Sequence, residues 1–96
     1  MRERLLLTDQ SVPRLAPHMR LRHDRARDVW TVQAPERSFL LDKIAHVVIA
    51  RCDGQASLAV IIDGLCVTFS DAPRDVIAGD VTALLQDLAD KGVVTA

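Results

Sequence analysis

The hydrophobic pattern of this chain changes period once, dividing it into a sheet-forming part and a helix-forming part. Over His18–His23, Met19 and Leu21 alternate with Arg20 and Arg22, the period of two that half-buries a strand and leaves a basic outer face. Asp24 to Asp28 (DRARD) is a charged turn. Val29 to Gln33 alternates again, with Trp30 and Val32 on one face and Val29, Thr31 and Gln33 on the other. Pro35 ends that strand, and Phe39, Leu40 and Leu41 form a short apolar run that reads as a third.

From Asp42 onward the spacing becomes helical. Asp42 is an expected N-cap, opening a helix from about Lys43 to Cys52 with Ala45, Val48, Ile49 and Cys52 inward. Asp53-Gly54 stops it. Ser57 caps a second helix, where Leu58, Ile61, Ile62, Leu65 and Phe69 give the stripe of a buried face. Pro73 opens a third, running to Lys91, with Ile77, Val81, Leu84, Leu85 and Leu88 as its apolar arc and Gly92 as its end. Val93 and Val94 predict a very short final strand. Gly64 and Gly79 fall inside helices and are expected to permit close packing.

Residues 1–17 hold Leu5, Leu6, Leu7, Pro13 and Pro17 without a period. They read as an irregular arm, its leucines tucked against a core or a neighbouring chain, which leaves residues 18–96 as the domain. The predicted class is α+β and winged-helix-like: short N-terminal antiparallel strands followed by a three-helix bundle.

Composition narrows the function. Ninety-six residues support one core, and 49% hydrophobic with 26% charged residues is globular usage. The net charge of −1 gives no overall pull toward nucleic acid or anionic lipid, but it is unevenly placed. Residues 1–37 carry eight basic against five acidic side chains, and residues 38–96 carry four against eight. Two cysteines, Cys52 and Cys66, are too few for a disulfide scaffold, fall on apolar stripes, and read as structural thiols of a cytoplasmic protein. The N-terminus lacks the apolar stretch of a secretory signal, and no run is long enough to span a membrane.

Catalytic signals are missing. No nucleophile-elbow glycines accompany a serine or cysteine, and the four glycines form no phosphate loop. His18, His23 and His46 are scattered, with no CxxC or HxxxH, so no metal site is expected. Asp87 and Asp90 share a solvated helix face. Trp30 reads as a core or half-core ring rather than a ligand platform. Winged helices often bind DNA through their last helix, but here Arg74 and Lys91 face Asp75, Asp80, Asp87 and Asp90. That helix repels phosphates instead of neutralising them.

What remains is an edge. No later strand is long enough to cover the third one, so its outer N–H and C=O groups are either protected or available to another chain. An extended peptide along Ser38, Phe39, Leu40 and Leu41 would complete the ladder. Its apolar side chains would enter a groove against the third helix, lined by Leu84 of the apolar arc and by Val76, Asp80, Asp87 and Lys91 beside it. Alternatively, Pro35, Glu36 and Arg37 blunt the edge, or the arm covers it.

The run RLRHDRARDVWTVQAPERSFLLD, then ARCDGQASLAVIIDGL, then APRDVIAGDVTALLQDLADKG, resembles the PqqD family, the peptide chaperones of pyrroloquinoline quinone (PQQ) biosynthesis. The resemblance spans about Pro17 to Val94. Its specific parts are Leu21-Arg22 with Asp24 to Asp28, Trp30, Ala34 to Arg37, Leu41-Asp42, Cys52 to Gly54 and Leu88 to Gly92. It implies a RiPP recognition element, a winged-helix-like domain that binds the leader of a ribosomally made precursor peptide. The implied partners are the precursor PqqA and the radical S-adenosylmethionine enzyme PqqE, to which the peptide is presented. The resemblance also implies that the peptide adds as a strand to Arg37–Leu41 beside the helix Pro73–Lys91, with no catalysis and no cofactor. Two readings compete: a winged-helix nucleic-acid-binding module using Arg20, Arg22, Arg25 and Arg27, and a structural homodimer paired through the edge strand or the N-terminal arm.

Overall fold

A computed structural model describes residues 4–96; Met1–Glu3 of the expected arm lie outside the described residues. Eight elements follow in order: β1 (Arg14–Leu15), β2 (Arg20–Asp24), β3 (Val29–Gln33), β4 (Ser38–Leu41), α1 (Lys43–Ala50), α2 (Leu58–Thr68), α3 (Arg74–Asp90) and β5 (Val94–Thr95). The fold is α+β, with an antiparallel sheet β2-β3-β4 packed on three helices and a second, two-stranded sheet β1-β5.

The hairpin β2–β3 keeps the alternation of its sequence. Leu21 pairs with Val32 and His23 with Trp30, all on the helix-facing side, while Arg22 pairs with Thr31 on the outer side. β4 continues the register, with Val32 opposite Phe39 and Thr31 opposite Leu40. Val32 is fully buried and Leu41 nearly so, but Leu40 is 73% exposed. The pleat alone decides this, because neighbouring residues face opposite sides of a strand.

The helices start where their caps dictate. The Asp42 carboxylate accepts from Ala45 N at 2.7 Å, and the Ser57 hydroxyl accepts from Val60 N at 3.3 Å. Pro73 sits at the N-cap of α3, one position earlier than a first-turn proline, and makes no side-chain cap. At the other end Gly92 takes φ +79°, the left-handed conformation that suits glycine. The Gly92 N–H then donates to Ala89 O at 3.0 Å and the Val93 N–H to Leu88 O at 2.9 Å. This closure turns the chain sharply and buries Val93 completely. β5 is thereby delivered to β1, so the final strand never reaches β4.

The core joins Val32 and Leu41 of the sheet to Val48, Ile61, Leu65, Leu85 and Leu88 of the helices. Each such side chain contributes roughly 1.5–3 kcal/mol when fully buried. The expected inward positions of α1 and α2 are buried except Phe69, which sits at the C-cap of α2 and is only half-buried. Two glycine expectations divide. A side chain at Gly64 would come within 2.6 Å of Arg51 Nη1, so Gly64 does allow a close approach, by the Arg51 guanidinium crossing α2 to reach Thr68. Gly79 has nothing within 4 Å and serves no packing role. Cys66 likewise proves only half-buried.

Residues 4–17 run along the helices with little regular structure. Leu58 N donates to Ser11 O, Ala59 N to Asp9 O, and Gly54 N to Pro13 O, so free amides at the start of α2 and in the turn before it are satisfied by this segment. Leu7 packs against the core.

Candidate functional site

The outer edge of β4 is open. The Ala34 N–H donates to Arg37 O at 2.8 Å, which fixes the phase of the ladder: Phe39 and Leu41 turn their backbone groups toward β3, and Ser38 and Leu40 turn theirs away. Among the described residues no other backbone group bonds to Ser38 or Leu40. Two N–H and two C=O groups therefore point outward along this strip. Just before it, the Arg37 guanidinium lies 5.2 Å from the Phe39 ring centroid.

Beyond β4 the chain enters α1, where Ile44 is 57% exposed. Ile44 and Val48 face Phe69, Val76 and Asp80 across an apolar cavity of about 170 Å³. Val76 is itself 48% exposed, so the cavity opens on an oily rim. At the other end of α3, Lys91 and Asp90 share an open cavity of about 780 Å³ with Arg37, Arg4 and Pro17. The start of β4 thus lies near the C-terminal end of α3, and the residues after β4 lie near its N-terminal half. Strand and helix thus run in opposite senses, with the apolar cavity near one end and the polar one near the other. From Val76 to Lys91 the helix margin measures about 22 Å at 1.5 Å per residue, roughly the length of a six- or seven-residue strand.

The ten expected site residues are only partly gathered. Val76 and Asp80 line the apolar cavity, and Arg37 and Lys91 line the polar one. Ser38 and Leu40 face outward, while Phe39 is half-buried and Leu41 belongs to the core. Leu84 packs half-buried against the core, and Asp87 lines neither cavity. Asp87 is held at 2.9 Å by Lys91, one helical turn on, whereas Asp80 has no ion-pair partner among the described residues.

The opposite margin of α3 is occupied. The Gln86 amide donates to Leu5 O at 2.7 Å and its carbonyl accepts from Leu7 N at 3.0 Å. Arg4 grips both oxygens of Asp90 at 2.8 Å. This guanidinium, with a further bond from Gln86, holds the Asp90 carboxyl below the usual carboxylate range, and the carboxylate in turn raises the Arg4 pKa. Among the described residues the arm bonds to Gln86 and Asp90 and leaves Val76 and Asp80 clear, while at the end of the helix Arg4 and Leu5 line the same cavity as Arg37 and Lys91.

Sequence reasoning missed Ile44, Val48 and Phe69 as lining of the apolar cavity. The only signal was an isoleucine on the exposed side of a short helix immediately after the edge strand. It also missed an aromatic stack: the Trp30 indole lies between the His23 and His46 rings, with centroids 4.5 Å away on each side and interplanar angles of 15° and 1°. The His23–Trp30 half is a matter of hairpin register, which pairs the two residues across β2 and β3. The His46 half depends on how α1 crosses the sheet. Among the described residues no cluster of His, Cys, Asp and Glu could hold a metal ion, and no helix is long and apolar enough to cross a membrane.

Known proteins share this sequence and this fold. Residues 30–94 match the family described as coenzyme PQQ synthesis protein D. A PqqA binding protein of Rhodopseudomonas palustris (strain HaA2) is 46% identical over 89 residues, covering 93% of this chain and 86% of the relative. One from Gluconobacter oxydans is 51% identical over 75 residues, covering 78% and 77%. Among solved structures, the solution NMR structure of the PqqD truncation of Methylobacterium extorquens PqqCD superposes with a TM-score of 0.78 at 36% identity, over 94% of this chain and 95% of that one. It is described as a functional, stand-alone RiPP recognition element. The crystal structure of PqqD from Xanthomonas campestris gives 0.54 at 46% identity, over 88% and 93%. A match over two thirds of its length, with relatives near half identity, shows that this chain belongs to the coenzyme PQQ synthesis protein D (PqqD) family.

Proposed function

We propose that this protein is a non-catalytic carrier of a PqqA-like precursor peptide, which it binds as an added strand and presents to a PqqE-like radical S-adenosylmethionine enzyme in the cytoplasm. The observation that carries the reading is the open strip at Ser38 and Leu40, which the chain follows with the exposed apolar rim of Ile44 and Val76. A peptide there gains up to four backbone hydrogen bonds, each worth about 0.5–1.5 kcal/mol net, and buries apolar side chains against Ile44 and Val76. Arg37, Ser38, Phe39, Leu40 and Leu41 form one wall, and Val76, Asp80, Leu84, Asp87 and Lys91 the other. The names of the relatives, each a PqqA binding protein, support this partner.

Titrating the isotope-labelled protein with synthetic PqqA-like peptide tests it. The amides of Ser38, Leu40, Val76, Asp80 and Leu84 are expected to shift, with Leu7 nearly still. Shifts confined to Arg20–Asp28, or concentration-dependent pairing of β4 between two copies that excludes peptide, would defeat it.

A further inference from the structure

We infer that the outer face of the β2-β3-β4 sheet docks an acidic surface of the enzyme that modifies the held peptide; the inference rests on the carrier reading above. Arg20, Arg22, Arg25 and Arg27 are all exposed, and none has an ion-pair partner among the described residues. The acids nearest in sequence are otherwise engaged. The Asp24 carboxylate accepts from Ala26 N at 3.1 Å and Arg27 N at 3.2 Å, and Asp28 bonds His23 at 2.9 Å. The turn is also clamped from below, because the His23–Trp30–His46 stack ties the hairpin to α1. Arg25 and Arg27 therefore project from an ordered turn, which lowers the entropy lost when their guanidinium groups meet carboxylates.

The register supplies the second argument. Arg22, Thr31 and Leu40 form one row across the three strands, and Arg20, Gln33 and Ser38 form the next. A guest strand on β4 extends both rows, since register partners lie on the same face of a sheet. Its outward side chains then stand in line with the arginines. An enzyme seated on this face would meet the cations and the guest together, so holding and presenting would be one geometry.

Charge complementarity favours a protein over nucleic acid. Four cations cluster on the hairpin, while residues 38–96 carry an excess of four acids that would repel a polyanion extending past it. A local carboxylate patch meets no such penalty.

The test uses the full chain, a PqqA-like peptide and a PqqE-like enzyme. Peptide affinity is measured first, alone, for wild type and for the R20E/R22E/R25E/R27E variant. Enzyme affinity is then measured for each protein loaded with peptide. The expected result is unchanged peptide affinity with enzyme binding weakened at least about tenfold and lost progressively with salt in the wild type. Equal enzyme affinity in a variant that still binds peptide overturns the docking face. Wild-type protein that binds no peptide overturns the carrier reading instead. Duplex DNA binding that competes with the enzyme, or salt-sensitive self-association that does so, also overturns the assignment. Should the fourfold variant fail to fold, R25E/R27E confines the reversal to the turn and is read the same way.

Discussion

Gln86 and Leu5 are 81 positions apart, yet the Gln86 amide donates to Leu5 O at 2.7 Å while its carbonyl takes the Leu7 N–H. One side chain thus does for the arm what a neighbouring strand would do. Gln86→Ala removes both bonds and also the Gln86 hydrogen bond to Asp90, so urea unfolding should show a loss of about 1–2 kcal/mol. Hydrogen exchange at Leu7 should accelerate. Peptide affinity should hold, because Gln86 lines neither cavity and lies away from Val76 and Asp80; a large loss of affinity would place the peptide on the Gln86 side.

The same clamp is sensitive to acid. Asp90 sits below the ordinary carboxylate value mainly through its hydrogen bond from Arg4. A carboxyl with a lowered folded pKa contributes stability above its unfolded value near 4, and that contribution disappears as pH falls through the folded value. The arm should therefore loosen below about pH 4 in wild type, seen as faster exchange at Leu7. Asp90→Asn should loosen it at neutral pH and remove the acid step.

Leu40→Pro tests the strand edge directly. Leu40 turns its N–H outward, and proline has none to give. The β3–β4 ladder should survive, since the bonds of Phe39 and Leu41 are untouched, and the circular dichroism of the helices should be unchanged. Precursor binding should weaken about tenfold, the equivalent of one lost hydrogen bond. Leu40→Thr keeps the N–H and should bind nearly as wild type. Equal affinities for all three proteins would remove β-augmentation as the docking mode.

Most of the fold was legible because its signals are local. The Asp42 and Ser57 caps, the alternation around Trp30 and Val32, and the glycine after Lys91 each act within a few residues. The groove was half legible. β4 could be named as an edge because no later strand was long enough to cover it, and the Val76–Lys91 margin followed from helical spacing. The open side of α3 was not readable, since it depends on a contact between Leu5 and Gln86 that no pattern encodes. Ile44 was hidden for a similar reason: its role comes from how α1 lies against α3.

The two groove carboxylates should not respond alike. Asp80 has no ion-pair partner among the described residues, while Asp87 is already neutralised by Lys91 at 2.9 Å. Asp80→Lys should change precursor affinity severalfold in a salt-dependent way. Asp87→Lys places two cations together and loses a pair worth about 0.3–0.5 kcal/mol, so it should act chiefly on stability. Calorimetric titration at two salt concentrations separates the cases. A flat response to Asp80→Lys would take that carboxylate out of the site.

Cys52 and Cys66 should differ in reactivity and in pH response. Cys52 is buried, its thiol contacts Val48 O at 3.4 Å, and burial, aided by Asp53, pushes its pKa up to about 12. The thiolate is the reactive form, so alkylation of the native protein should mark the half-buried Cys66 and spare Cys52 until the chain unfolds. A group that holds its proton more tightly when folded contributes fully below its unfolded pKa, about 9, and loses that contribution as pH rises toward 12. Cys52→Ala leaves a small void and should cost about 1 kcal/mol at neutral pH. Above pH 9 the gap between variant and wild type should narrow, because only wild type gives up a proton on unfolding. Lysine titration affects both proteins equally and cancels in the difference. A gap that stays constant from pH 7 to pH 11 would show that the native fold does not hold this thiol neutral.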